Sequence, residues 1–432
     1  MPTFLQKSLQ WAQDFKTFIY LNPNEIAYPH EPFLHVLAVG EKRRIGTDTI
    51  ETSEKTSFDK LHTFWENQNS WLFGFFNYDL KNELEDVYSN NLDKVVFPEF
   101  YFFEPQYLLF FDENGNLIFN KTKEENNFDD KILLNLIKEI ENITLPLSLP
   151  TTKKLKINCR FSHKEYLETV EKIKNHIVEG DVYELNLCVE FFIEKLELNP
   201  LEVYQELCKI SKMPFSSFLK ITIEGKEKYA LCASPERFLK KVDNRLISQP
   251  IKGTVKRGKT AVEDEEHKNY LRTSEKERAE NMMIVDLVRN DLARSAEIGS
   301  THVSEMFGIY SFQQVHQMIS TVEATLSNES KWSDAIKNAF PMGSMTGAPK
   351  IKATQLIEKY EKTKRGLYSG SIGYITPHGD FDFNVVIRTL FYDAFSKYAS
   401  FQVGGAITYD SDPQSEWEEC LLKAKAIRSL FE

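Results

Sequence analysis

The stretch Gln249-Pro250-Ile251-Lys252-Gly253-Thr254 lies near the middle of the chain and directly follows a strand-like run. Sixteen residues before its lysine, Glu236 sits in Ala233-Ser234-Pro235-Glu236-Arg237-Phe238, on a turn bounded by proline. A lysine and a glutamate at opposite ends of a predicted β-hairpin can face each other across a pocket. One of them can then act as a nucleophile and the other as a proton donor, if burial favours the required protonation states.

Length and composition indicate a soluble globular protein of one large or two smaller domains. The chain has 432 residues, of which 41% are hydrophobic and 27% are charged. A net charge of −11 argues against nucleic acid as a partner, because no basic stripe offsets it. No long apolar run occurs, so we expect a cytoplasmic protein without membrane insertion. Reduced thiols are expected for the five scattered cysteines, Cys159, Cys188, Cys208, Cys232 and Cys420.

The first part of the chain, residues 1–150, is predicted to be a β-rich region that carries few catalytic signals. The remainder, residues 151–432, is predicted to be the catalytic region. The pattern of the first part predicts buried strands within 70–78 and 97–111, a turn at 120–130, a short helix at 131–143 and a linker at 145–154.

In the second part, Ser162 and Glu165 form a predicted capping box that opens a helix, and Gly180 is its predicted end. The pattern then predicts strands near 182–193, 218–223, 229–233 and 245–248, and helices at 274–294, at 351–360 and from Asp412-Pro413 onward.

Two of these helices each carry a pair of glutamates three residues apart. They are Glu277 with Glu280, and Glu416 with Glu419. Residues at this spacing share one helix face, so the two pairs could meet around a hard divalent ion such as Mg²⁺. The alternative is that all four glutamates simply face solvent, and spacing alone favours that alternative.

Three further features suggest an anion site. The small residues of Gly343-Ser344-Met345-Thr346-Gly347-Ala348-Pro349-Lys350 precede a helix, where free backbone N–H groups can hold an anion, although an ordinary loop fits equally well. Arg388 lies in what reads as an apolar strand, so it is either a carboxylate or phosphate clamp or half of a structural salt bridge. The glycines of Val403-Gly404-Gly405-Ala406-Ile407 permit close approach of backbone to a ligand.

Taken in order, these motifs resemble the chorismate-utilising enzymes, which include anthranilate synthase component I, aminodeoxychorismate synthase component I, and the isochorismate and salicylate synthases. The match runs from about residue 160 to 432 and is carried by GDVYELNL (180–187), ASPERF, PIKGT, EKERAENMMIVDLVRNDL, GSMTGAPK, RGLYSGSIGY, VIRTL, VGGAI and DPQSEWEE. The resemblance implies an α+β fold like that of anthranilate synthase component I. It consists of two large antiparallel sheets packed as a sandwich with helices outside, and both parts of the chain interleave in one unit.

Lys252 decides which branch of the family the chain resembles. Anthranilate synthases usually carry alanine there, whereas a lysine is similar to aminodeoxychorismate synthase component I, which leads toward 4-aminobenzoate and folate. Isochorismate and salicylate synthases place a lysine base in the motif that corresponds to GDVYELNL, and that position here is Glu184. Glu184 also differs from the glutamine common in the aminating branches, and the resemblance gives it no role.

The resemblance implies amination of chorismate at C4, giving 4-amino-4-deoxychorismate. Mg²⁺ would be held by Glu280 and Glu419, with Glu277 and Glu416 as further or water-mediated partners, and would bind the ring carboxylate of chorismate. Lys252 would add at C2 while Glu236 protonates the departing C4 hydroxyl, and ammonia would then enter at C4 and expel the lysine.

The remaining predicted site residues follow from the same resemblance. Arg388 and Tyr368 match positions that hold the enolpyruvyl carboxylate, and Gly404, the loop at Gly347 and Thr254 are expected to contact substrate. The catalytic set also includes His316, which matches a histidine implicated in pyruvate elimination in the anthranilate branch. The expected ammonia source is a separate glutamine amidotransferase subunit, in a heterodimer.

Two alternatives remain open at this point. The chain could be an anthranilate synthase component I that happens to carry lysine, aminating C2 with loss of pyruvate. It could also be a non-catalytic chorismate-binding subunit that has kept only the fold, although the presence of Glu236, Lys252, Glu280, Glu419 and Arg388 argues against this.

Overall fold

The structure is a computed structural model that describes residues 2–48, 55–146, 155–313 and 315–432. Helices and strands are mixed along the whole chain. The helices are α1 (Phe4–Ala12), α2 (Ser57–Glu66), α3 (Phe119–Asn126), α4 (Asp130–Glu141), α5 (His163–Val178), α6 (Pro200–Ile210), α7 (Ala261–Thr273), α8 (Glu275–Ala293), α9 (Trp332–Ala339), α10 (Lys350–Tyr360) and α11 (Pro413–Arg428).

The strands form antiparallel pairs throughout their named ladders. They are β1 (Phe18–Asn22), β2 (Val36–Gly46), β3 (Leu72–Phe76), β4 (Phe100–Phe110), β5 (Asn158–Cys159), β6 (Glu184–Ile193), β7 (Phe215–Ile223), β8 (Lys226–Ser234), β9 (Arg237–Val242), β10 (Arg245–Gln249), β11 (Ile251–Lys256), β12 (His302–Ser311), β13 (Val315–Thr325), β14 (Gly347–Ala348), β15 (Ser371–Ile375), β16 (Phe381–Asn384), β17 (Thr389–Asp393) and β18 (Tyr398–Ile407).

Strands from the two parts of the chain pair directly with each other. β1 pairs with β7, with Ile19 opposite Leu219, and β3 pairs with β15, with Gly74 opposite Gly373. Hydrogen bonds join all eighteen named strands into one connected network. The expected α+β class with large antiparallel sheets is confirmed. The β-layers are connected to each other by hydrogen-bonded strand pairs.

The strands alternate their side chains between two hydrophobic cores. In β1, Phe18 and Tyr20 enter one core, while Ile19 and Leu21 enter the other. This follows from the two-residue period of a β-strand, whose successive side chains point to opposite faces. The first core is capped by α1, α4, α5, α6, α10 and α11, and the second lies between strands and takes in α2, α8 and α9. Helices therefore cover the outside of the β-layers.

Most predicted elements of the second part are confirmed. Ser162 and Glu165 form the capping box of α5, and Gly180 follows the helix with a φ of +83°. Ser274 caps α8, and Pro413 occupies the first turn of α11. The predicted strands correspond to β6, β7, β8 and β10.

Two predictions of local structure are wrong. The polar segment at 120–130, predicted as a turn, forms most of α3, whose Thr122 is buried. Its hydroxyl oxygen accepts a hydrogen bond from the Phe110 backbone N–H, so tertiary contact with β4 stabilises a helix that its own apolar pattern does not indicate. Arg388 is not inside a strand but precedes β17. The predicted linker lies largely outside the described residues.

Two further sequence expectations concern the cysteines and the membrane. All five cysteines are free, and four of them are buried. No helix within the described ranges has a stretch that is both long and apolar enough to span a membrane.

Candidate functional site

The predicted pairing of Glu236 with Lys252 depends on a hairpin that the structure contains. β9 and β10 pair antiparallel, with Arg237 opposite Gln249 at the open end of the hairpin. Glu236 directly precedes β9, and Lys252 is the second residue of β11, which follows β10 after Pro250. The chain ends of a hairpin lie side by side, so the two residues are brought to the same place.

Glu236 is an almost completely buried carboxyl, with 5% of its surface exposed. Burial raises its pKa to about 7, although Ser344, the backbone N–H of Ile251 and the charges of Lys252 and Arg388 all oppose that rise. A carboxyl with such a pKa carries a proton in a substantial fraction of molecules near neutral pH, as a proton donor must.

Lys252 is half-buried and approaches several acidic side chains. Its amino group forms no ion pair or hydrogen bond with any residue in the described ranges. Its charge nevertheless acts on Glu236, Glu184, Glu277 and Glu419. The amine is therefore held near carboxylates but is not tied to one of them.

Arg388 has the left-handed backbone conformation, with a φ of +51°. Among the residues that the structure describes, its guanidinium forms no ion pair, and its hydrogen-bond contact is from Nη1 to Met213 Sδ at 3.6 Å. Burial lowers the pKa of Arg388 to about 10, and the charge of Glu236 opposes that effect. The structural salt bridge that the sequence left open is absent here, so the carboxylate or phosphate clamp is the alternative that the geometry favours.

The four predicted metal-binding glutamates lie at the beginnings of two helices. Glu277 is in the first turn of α8 and Glu416 is in the first turn of α11, and each has its partner glutamate one turn further on. A Cβ placed on Gly405 would meet Glu416 Oε2 at 3.2 Å and Glu419 Oε1 at 3.7 Å. Carboxylates at helix N-termini are stabilised by the helix dipole, which offsets part of their mutual repulsion.

These carboxylates act on one another electrostatically. Burial raises the pKa of Glu277, and the negative charges of Glu280 and Glu419 raise it further. Burial also raises the pKa of Glu416, and Glu419 adds to that rise. Lys423 Nζ lies 2.7 Å from Glu419 Oε1 and lowers the pKa of Glu419.

The oxygens of the four glutamates are close but do not form a compact cluster. Among the described residues, no three of them have carboxylate oxygens within 4.8 Å of one another; that spacing is met only by His176, Glu179 and Asp181. In that second group, His176 Nδ1 is 2.7 Å from Asp181 and Nε2 is 2.9 Å from the Tyr360 hydroxyl. Both ring nitrogens of His176 already have protein partners.

Glu184 belongs to the site, although sequence reasoning assigned it no role. It begins β6, has no exposed surface, and neither carboxylate oxygen has a hydrogen-bond partner in the described structure. Burial raises its pKa, Lys252 opposes the rise, and Glu280 adds to it. A signal was present in the sequence, because a glutamate in the otherwise largely apolar Tyr183–Val189 run is costly to bury without a purpose.

The loop at Gly347 builds the wall behind Glu184. Gly347 has a φ of +153° and pairs with Leu185, and a Cβ there would lie 2.2 Å from the Glu184 carbonyl oxygen. Only glycine permits this approach of loop to strand. At Gly404, a Cβ would lie 2.4 Å from the Leu187 carbonyl oxygen, so only a residue without a side chain lets the β6 backbone come this close. The Gly404 carbonyl oxygen accepts a hydrogen bond from Lys423 Nζ.

Two other predicted residues, Tyr368 and Thr254, have neighbours that do not involve Lys252 or Glu236. Tyr368 is buried, and its hydroxyl lies 3.8 Å from Cys188 Sγ, on the same face of β6 as Glu184. Thr254 is exposed in β11, opposite Gln317 of β13.

His316 is fully buried, and both of its ring nitrogens have partners. Nε2 is 2.9 Å from Asp264 Oδ1, and Nδ1 is 2.8 Å from Ser311 Oγ. Asp264 is held in turn by Arg257, which forms two hydrogen bonds of 2.8 Å to it. In this arrangement His316 has no nitrogen free for a substrate, and its catalytic assignment stays a prediction.

Comparison with known proteins identifies the family of the chain. The sequence profile of the chorismate binding enzymes matches residues 9–429. The chain belongs to the chorismate binding enzyme family. The resemblance found in the sequence is thereby confirmed, and it extends through the first part of the chain, where few motifs were visible.

Members and neighbours of the family show how far the similarity goes. Aminodeoxychorismate synthase component 1 of Bacillus subtilis is 34% identical over 366 residues, covering 83% of this chain and 76% of that protein. The chloroplastic aminodeoxychorismate synthase of Arabidopsis thaliana is 40% identical over 291 residues, but the match covers only 31% of its length against 67% of this chain. The chain thus spans about a third of the plant relative.

Among solved structures, anthranilate synthase component I of Streptococcus pneumoniae superimposes with a TM-score of 0.78 at 25% identity. The superposition covers 94% of this chain and 95% of that chain. The α+β fold is therefore shared with this anthranilate synthase component I.

Proposed function

We propose that this chorismate binding enzyme aminates chorismate at C4 with ammonia and forms 4-amino-4-deoxychorismate. The observation that carries the proposal is the placement of Lys252 beside Glu236. Lys252 offers an amino group that has no hydrogen-bond or ion-pair partner among the described residues, and Glu236 is a buried carboxyl with a pKa of about 7. An amine nucleophile next to a protonated carboxylic acid suits a displacement in which a hydroxyl leaves as water.

The first half of the reaction uses both residues. The Lys252 nitrogen forms a bond to C2 of the ring, both conjugated ring double bonds shift by one position toward C4, and the C4–O bond breaks. Glu236 gives its proton to the departing oxygen, which leaves as water. This leaves the ring attached to Lys252 and Glu236 ionised.

The second half reverses the shift. Ammonia forms a bond to C4, both ring double bonds return to their original positions, and the bond between C2 and Lys252 breaks. The new ammonium group at C4 then gives one proton back to Glu236. The sum is chorismate and ammonia giving 4-amino-4-deoxychorismate and water. Two displacements place the new amine at C4, which a single attack at C2 would not do.

Arg388 is proposed to hold a carboxylate of chorismate. Its guanidinium makes no ion pair within the described chain, and its five N–H donors match a carboxylate. Tyr368, Gly404, the loop at Gly347 and Thr254 remain proposed substrate contacts.

Mg²⁺ is proposed as the metal, and the donor set fits it. The four glutamates offer only oxygen ligands, which this ion prefers, and burial followed by the charge of the neighbouring glutamates raises the pKa of Glu277 and of Glu416. Glu280 and Glu419 would hold the ion, with Glu277 and Glu416 beside them. When bound, it supplies positive charge that fixes the ring carboxylate and polarises the ring.

A glutamine amidotransferase subunit is proposed as the source of ammonia, in a heterodimer located in the cytoplasm. The name of the Bacillus subtilis relative, a component 1, supports a partner of this kind.

Product identity tests the proposal. The purified protein is incubated with chorismate, Mg²⁺ and excess ammonium, and the products are analysed by mass spectrometry with and without an added aminodeoxychorismate lyase. We expect a species in which an amine replaces the hydroxyl, which the lyase converts to 4-aminobenzoate. Anthranilate and pyruvate would instead place the chain in the anthranilate branch, and no turnover of chorismate would indicate a binding subunit.

The role of Lys252 is tested in the same assay. Lys252→Ala should abolish formation of 4-amino-4-deoxychorismate from either ammonium or glutamine with the partner subunit. Lys256→Ala is the matched control, because Lys256 is an exposed lysine of the same strand. Undiminished product from the Lys252 variant would remove this residue as an obligatory nucleophile.

A further inference from the structure

Glu184 is a buried carboxyl that the proposed reaction has not yet used. It has no exposed surface, and both of its oxygens lack a hydrogen-bond partner in the described structure. Burying a carboxyl without partners is costly, and natural proteins seldom keep such a group unless a function requires it.

The fold fixes Glu184 in place. Its backbone pairs with Ala348 of β14, and the next residue, Leu185, pairs with both Gly347 and Ile407. The side chain points to the face of β6 that also carries Asn186, whose Nδ2 donates a hydrogen bond of 2.8 Å to the Ser344 carbonyl oxygen. Strand pairing on both sides leaves the carboxyl little room to turn elsewhere.

The charges of Lys252 in β11 and Glu280 in α8 act on the Glu184 carboxyl. Of these two, only Lys252 carries a positive charge and can give a proton to a carboxylate. Within the described ranges, neither the Lys252 amino group nor the Glu184 oxygens have a hydrogen-bond partner, so each is available to the other once substrate brings the site together.

The other carboxylates near Lys252 have different tasks. Glu236 must keep its proton until the hydroxyl of the substrate leaves, so it cannot take one from Lys252. Glu277 and Glu419 belong to the proposed metal set, where a carboxylate has to stay ionised. Glu184 is the carboxylate near Lys252 that remains uncommitted.

We infer that Glu184 is the catalytic base that removes a proton from the Lys252 ammonium, so that the free amine can attack the ring. The inference rests on the proposed function, because it assigns the step that precedes the attack of Lys252.

The proton transfer balances in charge and atoms. An N–H bond of the Lys252 ammonium breaks, an O–H bond forms on Glu184, and the two opposite charges become a neutral amine and a neutral carboxylic acid. A site of low dielectric favours the two neutral groups over the two charged ones, because no charge then has to be buried. When ammonia later expels Lys252, the proton on Glu184 can return to it.

The test isolates the first half of the reaction. Wild-type protein is mixed with chorismate and Mg²⁺ in the absence of ammonia and glutamine, and samples are quenched over time. Intact-protein mass spectrometry and peptide mapping then measure how fast Lys252 acquires the ring. Glu184→Gln should slow this adduct formation by about 100-fold or more, which is typical for the loss of a general base.

Two further readouts separate chemistry from structure. The dissociation constant for chorismate should change less than about threefold in Glu184→Gln, which corresponds to roughly 0.7 kcal/mol. In Glu184→Ala, added formate should restore part of the rate of adduct formation, because a small carboxylate can enter the space left by the side chain. If Glu184→Gln fails to fold, Glu184→Asp replaces it in this test. Its rate of adduct formation should lie between the rates of wild-type protein and Glu184→Ala.

Glu190→Gln is the matched control. Glu190 is a buried glutamate of the same strand, six residues further on, and pairs with Arg160 at 2.8 Å instead of with Lys252. Its substitution should leave the rate of adduct formation unchanged.

The possible results have distinct meanings. If wild-type protein forms the adduct and Glu184→Gln forms it equally fast, the inference is overturned and the proposed function stands. If the slow rate of Glu184→Gln is restored by raising Mg²⁺ alone, Glu184 is a metal ligand and the inference is again overturned. If wild-type protein makes 4-amino-4-deoxychorismate but never carries a ring on Lys252, the covalent mechanism itself fails.

Discussion

The proton on Glu236 makes a quantitative prediction about stability. Burial raises the pKa of this carboxyl from 4.5 to about 7 in the folded protein. Each pKa unit corresponds to about 1.4 kcal/mol, so ionising Glu236 in the folded state costs about 3 kcal/mol more than in the unfolded chain. Glu236→Gln keeps the size and shape of the side chain but cannot ionise, and it should therefore remove this cost.

The direction of the effect follows from proton linkage. Because the folded pKa is higher than the unfolded one, the folded state binds this proton more tightly. The stabilisation is fully present below the ordinary pKa of 4.5 and is lost as the pH rises through about 7. The free energy of unfolding of Glu236→Gln, minus that of wild type, should thus rise by about 3 kcal/mol from about pH 4.5 to about pH 8.

Urea unfolding at a series of pH values measures this difference. Substrate and divalent ions are left out, since their binding would add its own pH dependence. Glu266→Gln is the control, because Glu266 is an exposed glutamate and its substitution should change stability by less than about 0.5 kcal/mol at every pH. A difference for Glu236→Gln that stays flat across the range would mean an ordinary pKa. Glu236 would then lack the physical basis for its role as proton donor.

Three further predictions concern charges in the interior. Arg388→Met should weaken chorismate binding by at least about 2 kcal/mol, roughly thirtyfold, with no loss of folding stability. If calorimetry gives wild type and Arg388→Met the same affinity for chorismate, Arg388 does not bind a substrate carboxylate. Glu184→Met should raise the free energy of unfolding in urea by about 1–3 kcal/mol, because an unpaired buried carboxyl is lost; a decrease would reveal a partner. Asp382→Asn should lower the free energy of unfolding by about 3–5 kcal/mol, since Arg237 loses a buried bidentate partner at 2.9 and 3.0 Å. Asp380→Asn is the control and should cost less, because Asp380 pairs with Lys241 at a more exposed place. Equal losses in the two variants would contradict the argument.

Much of the site could be predicted from the sequence because local spacing determines it. Glutamates three apart share a helix face wherever the helix lies, so Glu277 with Glu280 and Glu416 with Glu419 were identifiable as pairs. A hairpin of known length also brings its ends together, which placed Glu236 near Lys252.

The features that could not be predicted depend on distant contacts. Arg388 sits in a run of apolar and β-branched residues that reads as strand, yet its backbone is left-handed, with a φ of +51°. Glu184 pairs with β14 and is affected by charges on β11 and α8, which lie far apart in sequence. Only the fold shows that its carboxyl oxygens have no hydrogen-bond partner among the described residues.

The site is assembled from groups whose charges the protein leaves unsatisfied. Arg388 is a cation without an ion pair in the described chain, Glu184 is a carboxyl without hydrogen bonds, and Glu236 carries a pKa raised by burial. Each lowers the stability of the folded state, while Arg237 shows that the same fold can fully pair a buried charge where no ligand is needed. Chorismate carries two carboxylates and one hydroxyl, so its binding would supply an anion to Arg388 and a proton acceptor to Glu236. The unpaired groups are therefore better explained as a site preorganised for a dianionic substrate than as imperfect packing.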